Sequence, residues 1–108
     1  MEQVVTFVNT LPAGTVVVSG GARGVDSIAE AAAKRRGLET CIYPADWNRY
    51  GKAAGIRRNV EIVNKADVIV AFWDGRSRGT EYTIELARVK GKALHVVSAG
   101  DPLPAIEG

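Results

Sequence analysis

Cysteine and histidine, which supply most metal and redox sites in proteins, are almost absent from this sequence. Cys41 and His95 are the single residues of their types. One cysteine excludes a disulfide bond within the chain and fits a reducing, cytoplasmic setting. Because two such residues are too few for a usual zinc site, we expect no metal and no cofactor. Each lies in an apolar segment, so we expect His95 to pack in the core and Cys41 to be buried and inert.

A strong charge of one sign and long apolar runs are missing as well. The net charge is +2, which is too small to indicate nucleic-acid binding by itself. No apolar run approaches the roughly 20 residues of a membrane-spanning helix, and the first residues, MEQVV, lack the basic start of a signal peptide. We therefore expect no membrane association. The 108 residues suit one domain, 1–108.

Four short apolar segments, most of them rich in β-branched residues, predict buried strands: residues 15–19 (TVVVS), 39–43 (ETCIY), 67–72 (DVIVAF) and 93–97 (ALHVV). Helical stripes of apolar residues lie between them. This order predicts an α/β fold with a doubly wound, mostly parallel sheet of about four strands and helices on both faces. Residues 3–8 have strand propensity but also one apolar helical face, and we favour a helix. The last residues carry two prolines and are expected to trail over the surface.

A loop of almost bare backbone, Gly20-Gly21-Ala22-Arg23-Gly24, follows the first clear strand. Ligands of open α/β sheets bind at the carboxyl ends of the strands, where glycines allow close approach and the next helix presents free N–H groups. Arg23 adds a forked donor suited to phosphate or carboxylate. Asp26 follows in the first helical turn, where it can cap N–H groups or bind a ribose hydroxyl. The residues alone leave open a tight connection without a ligand.

A second loop, DGRSRGT, follows the third strand and repeats this design. Ser77 and Thr80 are placed to cap the helix or to contact an anion, and Gly79 permits close approach. Asp74 can hold the loop or an arginine, and we favour the structural role. Because the carboxyl ends of parallel strands meet at one edge, the two loops together favour an anionic ligand.

The stretch at residues 43–59, YPADWNRYGKAAGIRRN, is long, aromatic and basic. Trp47 and Tyr50 can stack on a base, and the basic residues Arg49, Lys52, Arg57 and Arg58 can meet phosphates. In the alternative, Trp47 covers the end of the sheet and the charges are solvated. The pair Arg58-Asn59 is expected near a helix start, within reach of the strand ends.

Four blocks of this sequence together resemble the SLOG superfamily, and within it the YspA/YpsA-related branch. The blocks are SGGARGVD at residues 19–26, YPADW at 43–47, AGIRRN at 54–59 and AFWDGRSRGT at 71–80 followed by IELA at 84–87. The superfamily is Rossmann-like and contains the DNA-processing protein Smf/DprA and the cytokinin-activating LOG enzymes. The resemblance implies a pocket for a nucleotide or a nucleotide-derived ligand such as ADP-ribose. It places Gly20, Gly21, Arg23 and Gly24 in one phosphate-facing loop, Ser77, Gly79 and Thr80 in the other, and Arg58 and Asn59 at the rim.

The sequence departs from this family in two ways. Members usually begin with a strand that ends in a glycine–serine–arginine loop, and we expect this domain to lack that central strand. Three arrangements are then possible: the first and third strands pair directly, residues 3–8 fill the gap, or a second subunit helps. Because exposed apolar surface at such a gap favours association, we expect a homodimer. LOG enzymes also use a G-T-x-x-E pattern, whereas Thr83 stands at the position of that glutamate here.

Three functions follow as hypotheses. We favour a sensor or carrier module that binds a nucleotide or nucleotide-derived ligand. The first alternative is a hydrolase of a nucleotide N-glycosidic or phosphate bond, with Glu81, Glu85 or Asp74 as the acid or base. The second is single-stranded DNA binding through the basic stretch, by analogy with Smf/DprA. Whether the protein is an enzyme stays open at this point.

Overall fold

The computed structural model of the protein describes residues 2–21, 24–98 and 100–106, in which helices and strands alternate. The helices are α1 (Glu2–Asn9), α2 (Val25–Arg35), α3 (Trp47–Tyr50), α4 (Ala54–Lys65) and α5 (Arg78–Val89), and a 3₁₀ turn at Gly51–Ala53 joins α3 to α4. The strands are β1 (Val16–Ser19), β2 (Glu39–Ile42), β3 (Val68–Phe72) and β4 (Ala93–Val97). All four predicted strands therefore form, and the helix predicted for residues 3–8 is confirmed as α1.

The strands form two parallel pairs. β1 pairs with β2, with Val16 opposite Glu39, and β3 pairs with β4, with Val68 opposite Ala93. In the described parts of the chain no pairing joins β1 to β3, so the structure has two sheets of two strands where the sequence predicted one sheet of about four. Two of the three arrangements expected for a domain without that strand are thus wrong: the first and third strands do not pair directly, and residues 3–8 are helical.

Side chains of β3 point alternately into two apolar clusters on opposite faces. Ile69 packs with Val63 of α4 and Ala87 of α5. Val70 and Phe72 pack on the other side, against the cluster of α1 and α2, and Val17 of β1 joins them there. The prediction of helices on both faces is therefore confirmed for β3, and both sheets rest on the same layer of α1 and α2.

Helix α1 is held to this layer by an apolar stripe and by a capping arginine. Four buried residues, Val4, Phe7, Val8 and Leu11, recur at helical spacing. The Phe7 ring meets the Phe72 ring edge to face, with 6.0 Å between the centroids. Arg36, just after α2, donates from Nη1 to the carbonyl oxygens of Val8 (3.0 Å) and Leu11 (2.6 Å). The carbonyl of Leu11 gains a partner in this way, and the carbonyl of Val8, which also accepts from the N–H of Leu11 (3.2 Å), gains a second one.

The strands are less buried than the sequence predicted, because each sheet has only two. His95 is exposed, so its prediction as a core residue is wrong, and Cys41 is only half-buried. In the tail, Leu103 and Ile106 pack against the cluster of α1 and α2, so the tail does not simply trail over the surface. Among the helices formed by the described residues, none has the length and apolar character needed to cross a membrane.

Candidate functional site

The backbone of Gly20, directly after β1, is held from two sides. Its N–H donates to Oδ2 of Asp26 in α2 (3.0 Å), and its carbonyl accepts a hydrogen bond from Nη1 of Arg58 in α4 (2.8 Å). The hydroxyl of Ser19, the last residue of β1, donates to Oε2 of Glu30 at 2.6 Å. Side chains of two different helices therefore fix the point at which β1 becomes the loop.

The side chain of Arg58 explains why residue 20 is glycine. A Cβ on Gly20 would lie against Cδ of Arg58 and only 2.6 Å from its Nη1, so the guanidinium occupies the space of a side chain. Gly21 and Gly24 are glycines for another reason, since their φ angles are +69° and +81°, a conformation that other residues adopt at a cost. Arg23, which the sequence singles out in this loop, lies outside the described residues, and its role stays a prediction.

Arg58 and Asn59 lie in the second turn of α4, slightly deeper in the helix than the sequence suggested. Nε of Arg58 donates to Oδ1 of Asn59 (2.9 Å), so the amide orients the guanidinium toward Gly20. The structure therefore brings together four of the predicted site residues, which come from three separate segments: Gly20, Asp26, Arg58 and Asn59. Proximity alone does not test whether they bind a ligand.

The loop between β3 and α5 is organised by its own hydrogen bonds. Oδ1 of Asp74 accepts from the N–H groups of Arg76 and Ser77, both at 2.8 Å, and these bonds, that from Ser77 first, lower the pKa of Asp74. Ser77 is the N-cap of α5, with its Oγ 3.5 Å from the N–H of Thr80, and its carbonyl accepts from Nε1 of Trp73 (3.0 Å). The structural roles of Asp74 and of the Ser77 cap are therefore seen directly.

The predicted site residues of this second loop are not joined to the first group. Asp74, Ser77 and Thr80 form hydrogen bonds, within the described chain, to residues of their own loop or of the start of α5. Gly79 is exposed in the first turn of that helix, and its carbonyl accepts from the hydroxyl of Thr83. Their predicted contact with an anion stays a prediction.

Trp47 and Tyr50, which the sequence presents as equivalent aromatic candidates, have different environments. They are the first and last residues of the short helix α3, which Asp46 caps by accepting from the N–H of Arg49 (3.1 Å). The guanidinium of Arg57 lies 4.1 Å and that of Arg49 5.1 Å from the centre of the Tyr50 ring. Trp47 remains 60% exposed, so it does not serve mainly as a cover for the end of the sheet.

A cavity of about 220 Å³ lies next to Arg58, between the segment after β2 and α4. Its lining residues are Pro44, Asp46, Arg49, Tyr50, Ala54, Arg57, Arg58 and Glu61. Sequence reasoning missed Asp46 and Glu61 as lining residues. The available signals were a carboxylate directly before α3 and the spacing of three and four residues that places Glu61 beside Arg57 and Arg58 on α4.

The carboxylates suggested for catalysis are engaged in structural bonds or exposed. Glu85 accepts a hydrogen bond from Nη1 of Arg88 at 3.0 Å on the outer face of α5, and Glu81 is exposed in the first turn of that helix. Asp74 accepts the two N–H bonds of its own loop. The described residues contain no group of three histidine, cysteine or acidic side chains that is placed to hold a metal ion.

Comparison with known proteins gives two matches. The family model described as the YspA, cpYpsA-related SLOG family matches residues 4–50, which include β1, the glycine loop and β2. "Gene 61 protein" of Mycobacterium phage D29 is 43% identical over 96 residues, which cover 83% of this chain and 75% of the phage protein. No solved structure matches the chain.

Proposed function

The chain belongs to the YspA, cpYpsA-related SLOG family, and from this premise we propose that it is a Rossmann-like module that binds a nucleotide or a nucleotide-derived ligand. Nucleoside phosphates and ADP-ribose- or NAD-like molecules are the ligand classes that we propose. One observation carries the proposal: the guanidinium of Arg58 lies 2.8 Å from the carbonyl oxygen of Gly20, at the carboxyl end of β1. An arginine and a bare backbone therefore meet where ligands bind in α/β folds.

The chemistry of this place suits a phosphate group. A guanidinium carries five N–H donors in a planar fork, and two N–H groups of Arg58 are used by the Gly20 carbonyl and by Asn59. Gly21 and Gly24 are exposed and flank the start of α2, whose first N–H groups and dipole favour negative charge. We propose that Arg58 and this backbone hold the phosphate, and that Arg23 joins them.

We propose that the second loop contributes from the end of β3. The carboxylate of Asp74 orders this loop by accepting from two of its backbone N–H groups. The start of α5, a twelve-residue helix, then carries Ser77, Gly79 and Thr80. Helix starts of this kind bind anions readily, and this supports a contact with a second phosphate or a ribose. The two loops follow strands of different sheets, and this arrangement fits a ligand with two polar groups, such as ADP-ribose, more closely than a single phosphate.

The experiment is a titration of the purified full-length chain with ADP-ribose, NAD and nucleoside monophosphates, followed by thermal denaturation and calorimetry. A ligand present at 100 times its Kd stabilises the folded state by about 2.7 kcal/mol, which is a clear rise in Tm. Arg58→Ala should weaken binding about tenfold or more, since a charged hydrogen bond contributes about 1.5–3 kcal/mol. Arg88→Ala is the matched control, because the side chain of Arg88 is exposed and its guanidinium pairs with the exposed Glu85 on α5. A flat Tm with every ligand, or equal binding by the two variants, would overturn the proposal.

We also propose that the protein forms a homodimer. The support is the open edge of each two-stranded sheet, together with the exposure of Val16 (41%) and Val96 (38%) on strands. Exposed strand edges pair with other strands unless they are covered. Light scattering coupled to size exclusion should give twice the mass of the 108-residue chain, and a monomer at all concentrations up to the millimolar range would contradict the dimer.

A further inference from the structure

The indole of Trp47 lies on the surface beside the proposed phosphate site. It exposes 60% of its area, more than the nearby Ile56 (48%) or Ile42 (38%). The other tryptophan, Trp73, is half-buried and donates its indole N–H to the carbonyl of Ser77. A large aromatic ring left in water at a site rim is a surface that gains free energy when a flat apolar group covers it.

The surroundings of Gly55 and Gly20 show that this indole lies near Arg58, and that Arg58 lies near the loop after β1. A Cβ on Gly55 would lie 3.5 Å from Cη2 of Trp47 and 3.7 Å from Nη2 of Arg58, so the indole and the guanidinium lie against the same bare turn of α4. The same guanidinium reaches Gly20 on its other side. The guanidinium of Arg58 therefore lies near the indole of Trp47 through Gly55 and contacts the start of the glycine loop at Gly20.

We propose that Trp47 is the stacking platform for the base of the nucleotide, with Arg58 holding the phosphate. This inference rests on the proposed function and adds the subsite that would recognise the base. Every nucleobase has a flat π face, and stacking one base on one aromatic side chain contributes about 1–3 kcal/mol. Tyr50 does not fill this role, because its ring faces the guanidinium groups of Arg49 and Arg57.

The test compares AMP with ribose 5-phosphate, which lacks the base. In a Trp73→Phe variant, fluorescence reports on Trp47 alone, since the chain has two tryptophans. AMP should quench this fluorescence, whereas ribose 5-phosphate should bind by calorimetry without quenching. AMP should also bind about 5- to 150-fold more tightly than ribose 5-phosphate, the factor that stacking of one base supports.

Substitutions at Trp47 give the second measurement. Trp47→Ala should reduce the affinity for AMP to that for ribose 5-phosphate and leave the latter unchanged, whereas Trp47→Phe, which keeps a ring, should retain most of the difference. If AMP and ribose 5-phosphate bind equally, and Trp47→Ala changes neither, the platform is wrong while the phosphate site stands. If neither compound binds, the platform is wrong, and the proposed function is wrong as well if ADP-ribose and NAD also fail to bind.

Discussion

Replacing Gly20 with alanine tests the contact on which the site is built. Gly20 is buried, and its φ is not positive, so alanine can adopt its backbone conformation. The added Cβ would nevertheless lie 2.6 Å from Nη1 and 2.8 Å from Nε of Arg58, which is too close for a carbon atom and a nitrogen atom that are not covalently bonded. The guanidinium must therefore withdraw and release the Gly20 carbonyl.

The expected cost follows from two opposing terms. A hydrogen bond to a charged group contributes about 1.5–3 kcal/mol to the free energy of unfolding. Alanine in place of glycine raises this free energy by about 0.4–1 kcal/mol, because it restricts the unfolded chain. Gly20→Ala should therefore lower the free energy of unfolding by about 1–2 kcal/mol. For a domain near 100 residues this lowers Tm by roughly 5–15 °C.

The decisive assay is a double-mutant cycle with Arg58→Ala, measured by urea denaturation and circular dichroism. Without the Arg58 side chain the new methyl group meets no obstacle, so Gly20→Ala should become neutral or stabilise by about 0.4–1 kcal/mol. Equal destabilisation of the wild-type and Arg58→Ala backgrounds would refute the reasoning, because the cost would then not come from the guanidinium.

Substitutions at three further positions address the rest of the fold. Arg36→Ala removes the bonds that cap α1 and should cost about 2–3 kcal/mol in urea denaturation; Arg36→Lys should recover only part of this, and full recovery would contradict the role of the planar fork. Phe7→Ala should cost about 3–5 kcal/mol and Phe7→Leu clearly less, whereas equal losses would mean that the ring contact with Phe72 matters more than the volume. The lowered pKa of Asp74 means that its stabilising effect is present above its ordinary value of 3.8 and is lost as the pH falls through the folded-state pKa. Asp74→Asn should accordingly flatten the acid limb of a Tm–pH profile, and an unchanged limb would contradict this.

The elements that follow from local pattern were predictable. The run TVVVS ends at two glycines, and it forms β1 because β-branched side chains suit an extended, half-buried segment. Residues 3–8 were ambiguous between strand and helix, and the apolar spacing that continues to Leu11 decided correctly for α1. Local spacing was sufficient here because the backbone hydrogen bonds of a helix form within the helix itself.

Strand pairing and burial were less predictable, because they depend on residues far apart in the chain. The residues of β1 and β3 do not by themselves determine whether the two strands pair. One sheet of about four strands was expected, and two pairs of strands are observed. His95 was misplaced for the same reason: its apolar neighbours predict a strand, but only the number of strands beside β4 decides whether that strand is covered.

The candidate site also combines features that the local sequence predicted with features that depend on residues far apart in the chain. The residue types indicated Gly20 and Arg58 separately, but the two positions are 38 apart in the sequence, which does not show that the side chain of Arg58 covers Gly20. Likewise, Trp47 and Tyr50 lie in the same stretch of sequence, and only the structure shows that the guanidinium groups of Arg49 and Arg57 cover the ring of Tyr50. The loop motifs therefore predict the kind of ligand, which stays a prediction, whereas the structure was needed to see which of these side chains lie together.

The position of the glycine loop depends on polar side chains as well as on the sheet. In a wide parallel sheet a central strand is held from both edges, whereas β1 has only β2 as a partner in the described chain. The N–H of Gly20 donates to Asp26 and its carbonyl accepts from Arg58, and these two bonds also tie the end of β1 to α2 and α4. Because α4 also carries the turn that supports Trp47, a single arginine links the strand end, the helix and the exposed indole. A change at Arg58 therefore alters the support of the loop as well as any contact with a ligand, and this is why the experiments above measure stability and binding separately.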